Sequence, residues 1–211
     1  YLPIDLELYG FDLEVATEVH LDILRRLDAA EVITVDARAA MIDIPSGETA
    51  FFKADFHWSA AGARQTAIAV AETIRGLPEY ADLEPTRFET VPLEVGVAFS
   101  GMRRILQRSC LTTLPEVETM TYLTSQVQVP DLDNGVFDLF GDSANNSQIA
   151  LVGTSFSDSP INNFPGFLAE YAQLEVVNYA LTGGNQYGSM VSYLTSTEFE
   201  KSPPRFLVWE N

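Results

Sequence analysis

At 211 residues and 46% apolar content, the chain has the length of about one domain and enough core-forming material to fold without disulfide or metal staples. Twelve Lys and Arg stand against 30 Asp and Glu, a net charge of −18, which argues against a nucleic-acid surface and against docking on an anionic membrane. Cys110 is the sole cysteine, so an intrachain disulfide and a Cys-rich zinc site are excluded, and two histidines speak against a multi-histidine metal site. No metal or other cofactor is expected. No apolar run reaches the length of a membrane span. The sequence opens without an initiator Met and stops at Asn211 after an apolar run. The expectation is a single domain over residues 1–211, incomplete at both ends.

In chain order, residues 17–30 predict an amphipathic helix with Val19, Ile23, Leu24 and Leu27 on one face. Residues 32–35 read as a short buried strand ending at Asp36. Phe51 and Phe52 lead into Asp55-Phe56-His57-Trp58. Ser59 is placed as the N-cap of an Ala-rich helix over residues 60–75, closed by Gly76 and Pro78. Residues 78–135 carry five prolines among Thr/Val-rich runs and are expected to be irregular with a few strands, an insertion over the core. From 148 the pattern is regular: a strand at 148–152, a turn, a helix at 161–173 started or kinked by Pro165, and a strand at 175–179. A Gly-rich loop at 182–188, a helix at 189–198 and a strand at 205–210 follow. Strands alternating with helices through short loops predict an α/β fold, a parallel sheet flanked by helices.

Ligands of open parallel sheets bind beyond the carboxyl ends of the strands. There, after 148–152, stands Gly153-Thr154-Ser155. A serine on a strand-to-helix turn is how a nucleophilic Oγ is exposed, although a plain helix cap reads the same way. A serine nucleophile needs a base, and the base needs an orienting carboxylate. In an extended Asp55-Phe56-His57, residues two apart face the same way, so Asp55 could hold the His57 ring. The other histidine, His20, sits in the predicted amphipathic helix and is read as structural. After strand 175–179, Gly183, Gly184 and Asn185 could offer oxyanion donors, or form an ordinary connection. Gly141-Asp142-Ser143 spells a hydrolase motif but precedes the strand, so Ser143 is given no role.

With these elements placed, the chain resembles the SGNH hydrolase-like alginate O-acetyltransferases of the AlgJ and AlgX group. The carrying residues are Asp55-Phe56-His57-Trp58-Ser59 with Gly62-Ala63, then Leu151-Val152-Gly153-Thr154-Ser155-Phe156-Ser157, then Gly183-Gly184 and Leu207-Val208-Trp209-Glu210-Asn211. Ser59 stands where that family usually has Thr, and either can cap a helix. Thr154 replaces the Asp of Gly-Asp-Ser, which makes a general SGNH esterase a poorer match. The resemblance implies Ser155 as acyl nucleophile, His57 as base and Asp55 as its partner. It also implies a periplasmic enzyme acting on an exported polysaccharide, with acetyl groups delivered with the help of a membrane-bound acyltransferase.

Alginate is itself a polyanion, which sits awkwardly with a charge of −18. Repulsion is screened beyond about 8–10 Å at moderate salt, and Arg103, Arg104 and Arg108 form the densest basic cluster, either a binding face or a solvated helix face. The sequence-level rivals are a carbohydrate esterase with the same triad and a non-catalytic polysaccharide-binding subunit.

Overall fold

A computed structural model gives the structure of the protein and describes residues 10, 12–53, 55–127 and 148–211. The Gly141-Asp142-Ser143 stretch lies outside the described residues. The chain divides into two units, residues 1–38 and 39–211.

In the first unit, α1 spans Leu13–Ala29. It starts earlier than the apolar periodicity indicates, because Asp12 caps it by accepting the Val15 N–H. Asp22 pairs with Arg25 and Arg26 one turn on, and the Arg26 hydrogen bond holds its carboxyl below the usual range. His20 Nε2 lies 3.0 Å from Asp36 Oδ1. Residues 32–35 are not the buried strand expected. They pair with no strand among the described residues, and Val32 and Ile33 are 45% and 60% exposed. The Val32 N–H instead closes the end of α1 on Leu27 O, after Glu31 turns left-handed at φ 61°. A β-branched run supplies strand propensity, but without a partner edge it makes no sheet. A short helix, α2 (Ala37–Ala40), spans the division between the units.

The second unit is built on a three-stranded parallel sheet in the order β4-β3-β5, with β3 Ile149–Val152, β4 Val176–Asn178 and β5 Phe206–Trp209. All four residues of β3 are fully buried, as a central parallel strand requires. Ile149 and Leu151 face the core formed with α3 (Ala60–Arg75) and α6 (Phe164–Ala172). Ala150 and Val152 face Tyr193 of α7 (Gly188–Leu194), with Met190 and Phe199 packed beside it, the latter from α8 (Thr197–Lys201). Helices therefore cover both faces of the sheet. Phe164, Phe167 and Leu168 of α6, with Leu174 just beyond it, are fully buried, each contributing about 1.5–3 kcal/mol.

Pro165 starts α6 rather than kinking it, since its missing N–H falls in the first turn. The expected 189–198 helix is broken in two, because Ser196 turns its side chain to the Phe199 N–H and caps a new helix.

On α3, Ala60, Ala63, Ala67 and Ala71 present a small-residue face to the core. Gly62 allows closer contact still: a Cβ there would clash with the Ala50 carbonyl oxygen, which itself accepts the Ser59 N–H at 2.9 Å. Gly62→Ala is expected to cost about 1–3 kcal/mol or more of stability. The check is the midpoint of denaturant unfolding, and an unchanged midpoint would mean that the helix start can shift without loss.

Within residues 78–135, expected to be irregular with a few strands, lies an antiparallel pair, β1 Phe88–Ala98 and β2 Val117–Gln126, with α4 (Gly101–Gln107) in the connection. Proline masked the pattern: Pro92 lies inside β1, where the register shifts before Val95. The Thr90 and Thr124 hydroxyls lie 2.7 Å apart across the pair, and Asn163 Nδ2 donates to Thr124 Oγ1. Arg64 stacks over both Tyr122 of β2 and Phe167 of α6.

Candidate active site

Local folding of Asp55-Phe56-His57-Trp58-Ser59 differs from the extended segment expected. A tight turn forms here: the Asp55 N–H reaches Phe52 O, and the Phe52 N–H reaches His57 O. Asp55 Oδ1 accepts the His57 backbone N–H at 2.8 Å, the local turn that Asp favours. The same oxygen meets His57 Nδ1 at 2.5 Å. The pairing of Asp55 with the ring therefore comes from a turn and not from strand alternation. Trp58 pegs the segment down. Its Nε1–H donates to Phe156 O at 2.8 Å, and its ring packs on Phe156 and Phe164. Ser59 then caps α3 through Ala61 and Gly62, as expected, and donates to Thr49 O.

The Asp55 side chain is 0% exposed. A buried carboxylate persists only when its lone pairs are met. Here its donors are the His57 ring, the His57 N–H and, on Oδ2, the N–H of Gly101 at 3.2 Å. Gly101 is the first residue of α4, so the hairpin connection contributes to holding Asp55. Sequence reasoning did not find this partner, because it lies 46 residues away in a segment of unreadable periodicity.

On the other side of the ring, His57 Nε2 lies 2.8 Å from Ser155 Oγ. With the Nδ1 proton given to Asp55, Nε2 is the acceptor that faces the serine hydroxyl. Ser155 opens α5 (Ser155–Asp158), the single turn that follows β3 through Gly153 and Thr154. Thr154, not Ser155, is the N-cap, accepting the Phe156 N–H. Side chains from several elements fix this turn. Asn162 Nδ2 and Trp58 both donate to Phe156 O, and Asn178 Nδ2 donates to Ser157 O. Glu210, at the end of β5, accepts from Thr154 and Ser157. The Phe56 ring lies half-exposed against the His57 ring, with Phe156 beside both.

The loop carrying Gly183, Gly184 and Asn185 is tied to the serine turn. Leu181 N–H donates to Gly153 O, and Thr182 N–H to Asp158 Oδ2, both at 3.0 Å. Gly183 and Asn185 have φ of 80° and 55°, so the loop needs left-handed backbone at both positions. The Gly184 N–H donates to Leu181 O and is committed to the turn.

Arg103 donates to the carbonyls of Leu114 and Pro115, and Arg104 lies over the Phe99 ring. These two arginines thus serve the hairpin connection. A cavity of ≈ 690 Å³ opens between that connection, the 47–53 loop and the start of α3, lined by Thr49, Phe52, Lys53, Arg103 and Tyr122 among others. Ser155, His57 and Asp55 do not line it. His20 has its own partner in Asp36.

Comparison with known proteins shows the fold and the family. A family model described as an SGNH hydrolase-like domain of the acetyltransferase AlgX matches residues 11–211. The chain is 34% identical over 204 residues to the alginate biosynthesis protein AlgX of Pseudomonas aeruginosa, covering 97% of this chain and 42% of that protein. The solved structure of Pseudomonas aeruginosa AlgX superposes with a TM-score of 0.80 at 30% identity, over 98% of this chain and 46% of that one. The O-acetyltransferase domain of Pseudomonas putida AlgJ gives a TM-score of 0.75 at 26% identity, over 92% of this chain and 63% of that one. The sequence thus spans less than half the length of the AlgX relative. With a family match running from residue 11 to 211 and a third of its residues shared with AlgX, this chain belongs to the family of AlgX-type, SGNH hydrolase-like acetyltransferase domains.

Proposed function

We propose that this chain transfers acetyl groups, through an acetyl-Ser155 intermediate, to hydroxyls of an exported polysaccharide, with alginate as the acceptor. The observation that carries the reading is the continuous row Asp55–His57–Ser155, in contact at 2.5 and 2.8 Å. His57 Nε2 takes the proton of Ser155 Oγ as that oxygen attacks the carbonyl carbon of an acetyl ester. The tetrahedral oxyanion is met by the Ser155 backbone N–H, with the Gly183-Gly184-Asn185 loop completing the hole. Gly184 acts there by shaping the turn, since its own N–H is used. The imidazolium, steadied by Asp55, returns the proton to the departing alkoxide. A sugar hydroxyl then gives its proton to His57 and attacks the acetyl-Ser155 carbonyl, and His57 passes that proton to Ser155 Oγ as it leaves, giving the sugar ester and free serine.

In the cell, we place this chemistry in the periplasm, with acetyl delivered by a membrane-bound acyltransferase partner. The family supports that placement. No described helix is long and apolar enough to cross a membrane. Residues 1–211 form the acetyltransferase part in this reading, with the β1–β2 hairpin as an insertion between α3 and β3.

Transfer and hydrolysis share the acetyl-Ser155 stage, so the acceptor decides between them. A transferase must hold the sugar hydroxyl in a near-attack pose, an advantage worth about 7–11 kcal/mol at best. The test is mass spectrometry of a uronate oligomer incubated with a chromogenic acetyl ester and the protein. Acetylated oligomer is expected, with less free acetate. An unmodified oligomer, with acetate accumulating at the same rate, would make the protein an esterase. Binding of the oligomer with neither product would make it a polysaccharide-binding subunit.

A further inference from the structure

We infer that Glu210 is a positioning residue for the nucleophile: its carboxylate sets the Gly153–Ser157 turn and so aims Ser155 and its N–H. The inference rests on the reading of Ser155 as the acyl nucleophile.

Helix α5 is four residues long, too short to hold its own shape, so the turn that presents Ser155 depends on ties from outside. Most of them are single hydrogen bonds to carbonyl oxygens. Glu210 alone among these side chains acts on the donors. Its Oε2 accepts the Thr154 N–H at 2.7 Å and the Ser157 hydroxyl at 3.1 Å, while the Thr154 hydroxyl lies 3.0 Å from Oε1 and 3.1 Å from Oε2. Three donors of one turn thus converge on one carboxylate, and the Thr154 N–H, at 2.7 Å, is the shortest of the contacts.

The anchor itself is rigid. β5 pairs with β3 up to Val152 and Trp209, and the Glu210 N–H extends the ladder to Val152 O at 2.9 Å. The carboxylate is therefore fixed to the strand that ends in the nucleophile turn. Gly153 fits the same arrangement. A Cβ at that position would lie 2.6 Å from Glu210 Oε2 and 3.0 Å from Glu210 Cβ, so only glycine lets the carboxylate pass.

The consequence for Ser155 follows from two orientations. The Thr154 hydroxyl has one proton. Donated to Glu210, it leaves a lone pair for the Phe156 N–H, which caps α5. The Thr154 N–H, turned to Glu210, fixes the peptide before Ser155. The next N–H, that of Ser155, makes no hydrogen bond among the described residues and is left for the oxyanion.

The test uses the protein with a chromogenic acetyl ester, separating kcat from KM, with thermal midpoints to verify folding. Glu210→Ala frees the turn and is expected to lower kcat by on the order of 10²-fold, as a small misplacement of reacting groups does, with KM unchanged. Glu210→Gln keeps an oxygen for the Thr154 N–H and the Ser157 hydroxyl, and its NH₂ can donate to the Thr154 hydroxyl. It is expected to recover kcat to within about tenfold of the parent, because geometry and not charge is at stake. Gly153→Ala displaces the carboxylate without removing it and is expected to reproduce the kcat loss, which keeps the test open should Glu210→Ala fail to fold. A folded Glu210→Ala or Gly153→Ala with unchanged kcat would overturn the inference. So would a Glu210→Gln as impaired as the Ala variant. Ser155→Ala is assayed alongside: if it stays active, the nucleophile reading has failed. If it is inactive while the Glu210 and Gly153 variants keep full turnover, only the Glu210 inference has failed.

Discussion

Ser155→Ala is expected to abolish acetyl transfer and acetyl-ester cleavage while leaving the fold intact. Removing the nucleophile of a unit that acts together costs about 10⁴–10⁶-fold in kcat. The structural cost is small, because Oγ makes its hydrogen bond to a ring that is itself 18% exposed. One such bond between partly hydrated groups contributes about 0.5–1.5 kcal/mol. Ser143→Ala should leave the rate unchanged, since the Gly141-Asp142-Ser143 motif precedes β3 and has no part in the proposed chemistry. Initial rates on a chromogenic acetyl ester, with intact-mass detection of the acetyl-enzyme, read both variants. A Ser155→Ala protein that still acquires an acetyl group, beside a Ser143→Ala protein that does not, would move the nucleophile to Ser143.

What could be read from the chain follows from the range of each interaction. β3 was legible because four consecutive apolar residues between turn signals suit a strand buried on both faces. The strand-turn-serine at 152–155 was legible because it is local, and His57 because the chain has only two histidines. The Ala-rich α3 with Ser59 as its cap carries its own start and stop signals. Long-range partners were not legible. Residues 32–35 have the propensity of a strand, but propensity says nothing about whether an edge is available. β1 was obscured by Pro92, which a strand tolerates only at an edge, at its first residue or where its register breaks. Glu210 could be seen as the end of a strand. Its grip on Thr154, 56 residues earlier, depends on β5 lying beside β3, a register that no local pattern encodes. The same holds for Gly101 and Asp55. The chemistry of the site was therefore visible as residue types on short motifs, and its supporting frame was not.

Asp55→Asn is the most informative substitution after the nucleophile, because it keeps the shape of the side chain and changes only what it can accept. The carboxylate meets three N–H groups: the His57 ring, the His57 backbone and Gly101. An amide has one accepting oxygen and one donating nitrogen. If the oxygen stays on His57, the NH₂ faces the Gly101 N–H, donor against donor, which costs about 1–3 kcal/mol for a group this buried. If the amide flips, the NH₂ faces His57 Nδ1 and selects the tautomer with the proton on Nε2. That nitrogen then has no lone pair for the Ser155 hydroxyl. Either orientation also removes the negative charge that steadies the imidazolium formed when Ser155 attacks. The expected result is a fall in kcat of about 10³–10⁴-fold, the scale set by a wrong tautomer in a Ser-His-Asp unit. The KM for a small ester should change little, since Asp55 is fully buried and its carboxylate is occupied by protein donors. Steady-state rates on the ester, with a thermal midpoint on the same preparation, separate the catalytic loss from any loss of fold. Turnover within about tenfold of the parent would mean that His57 needs no carboxylate partner, and Asp55 would then be a structural link between His57 and α4.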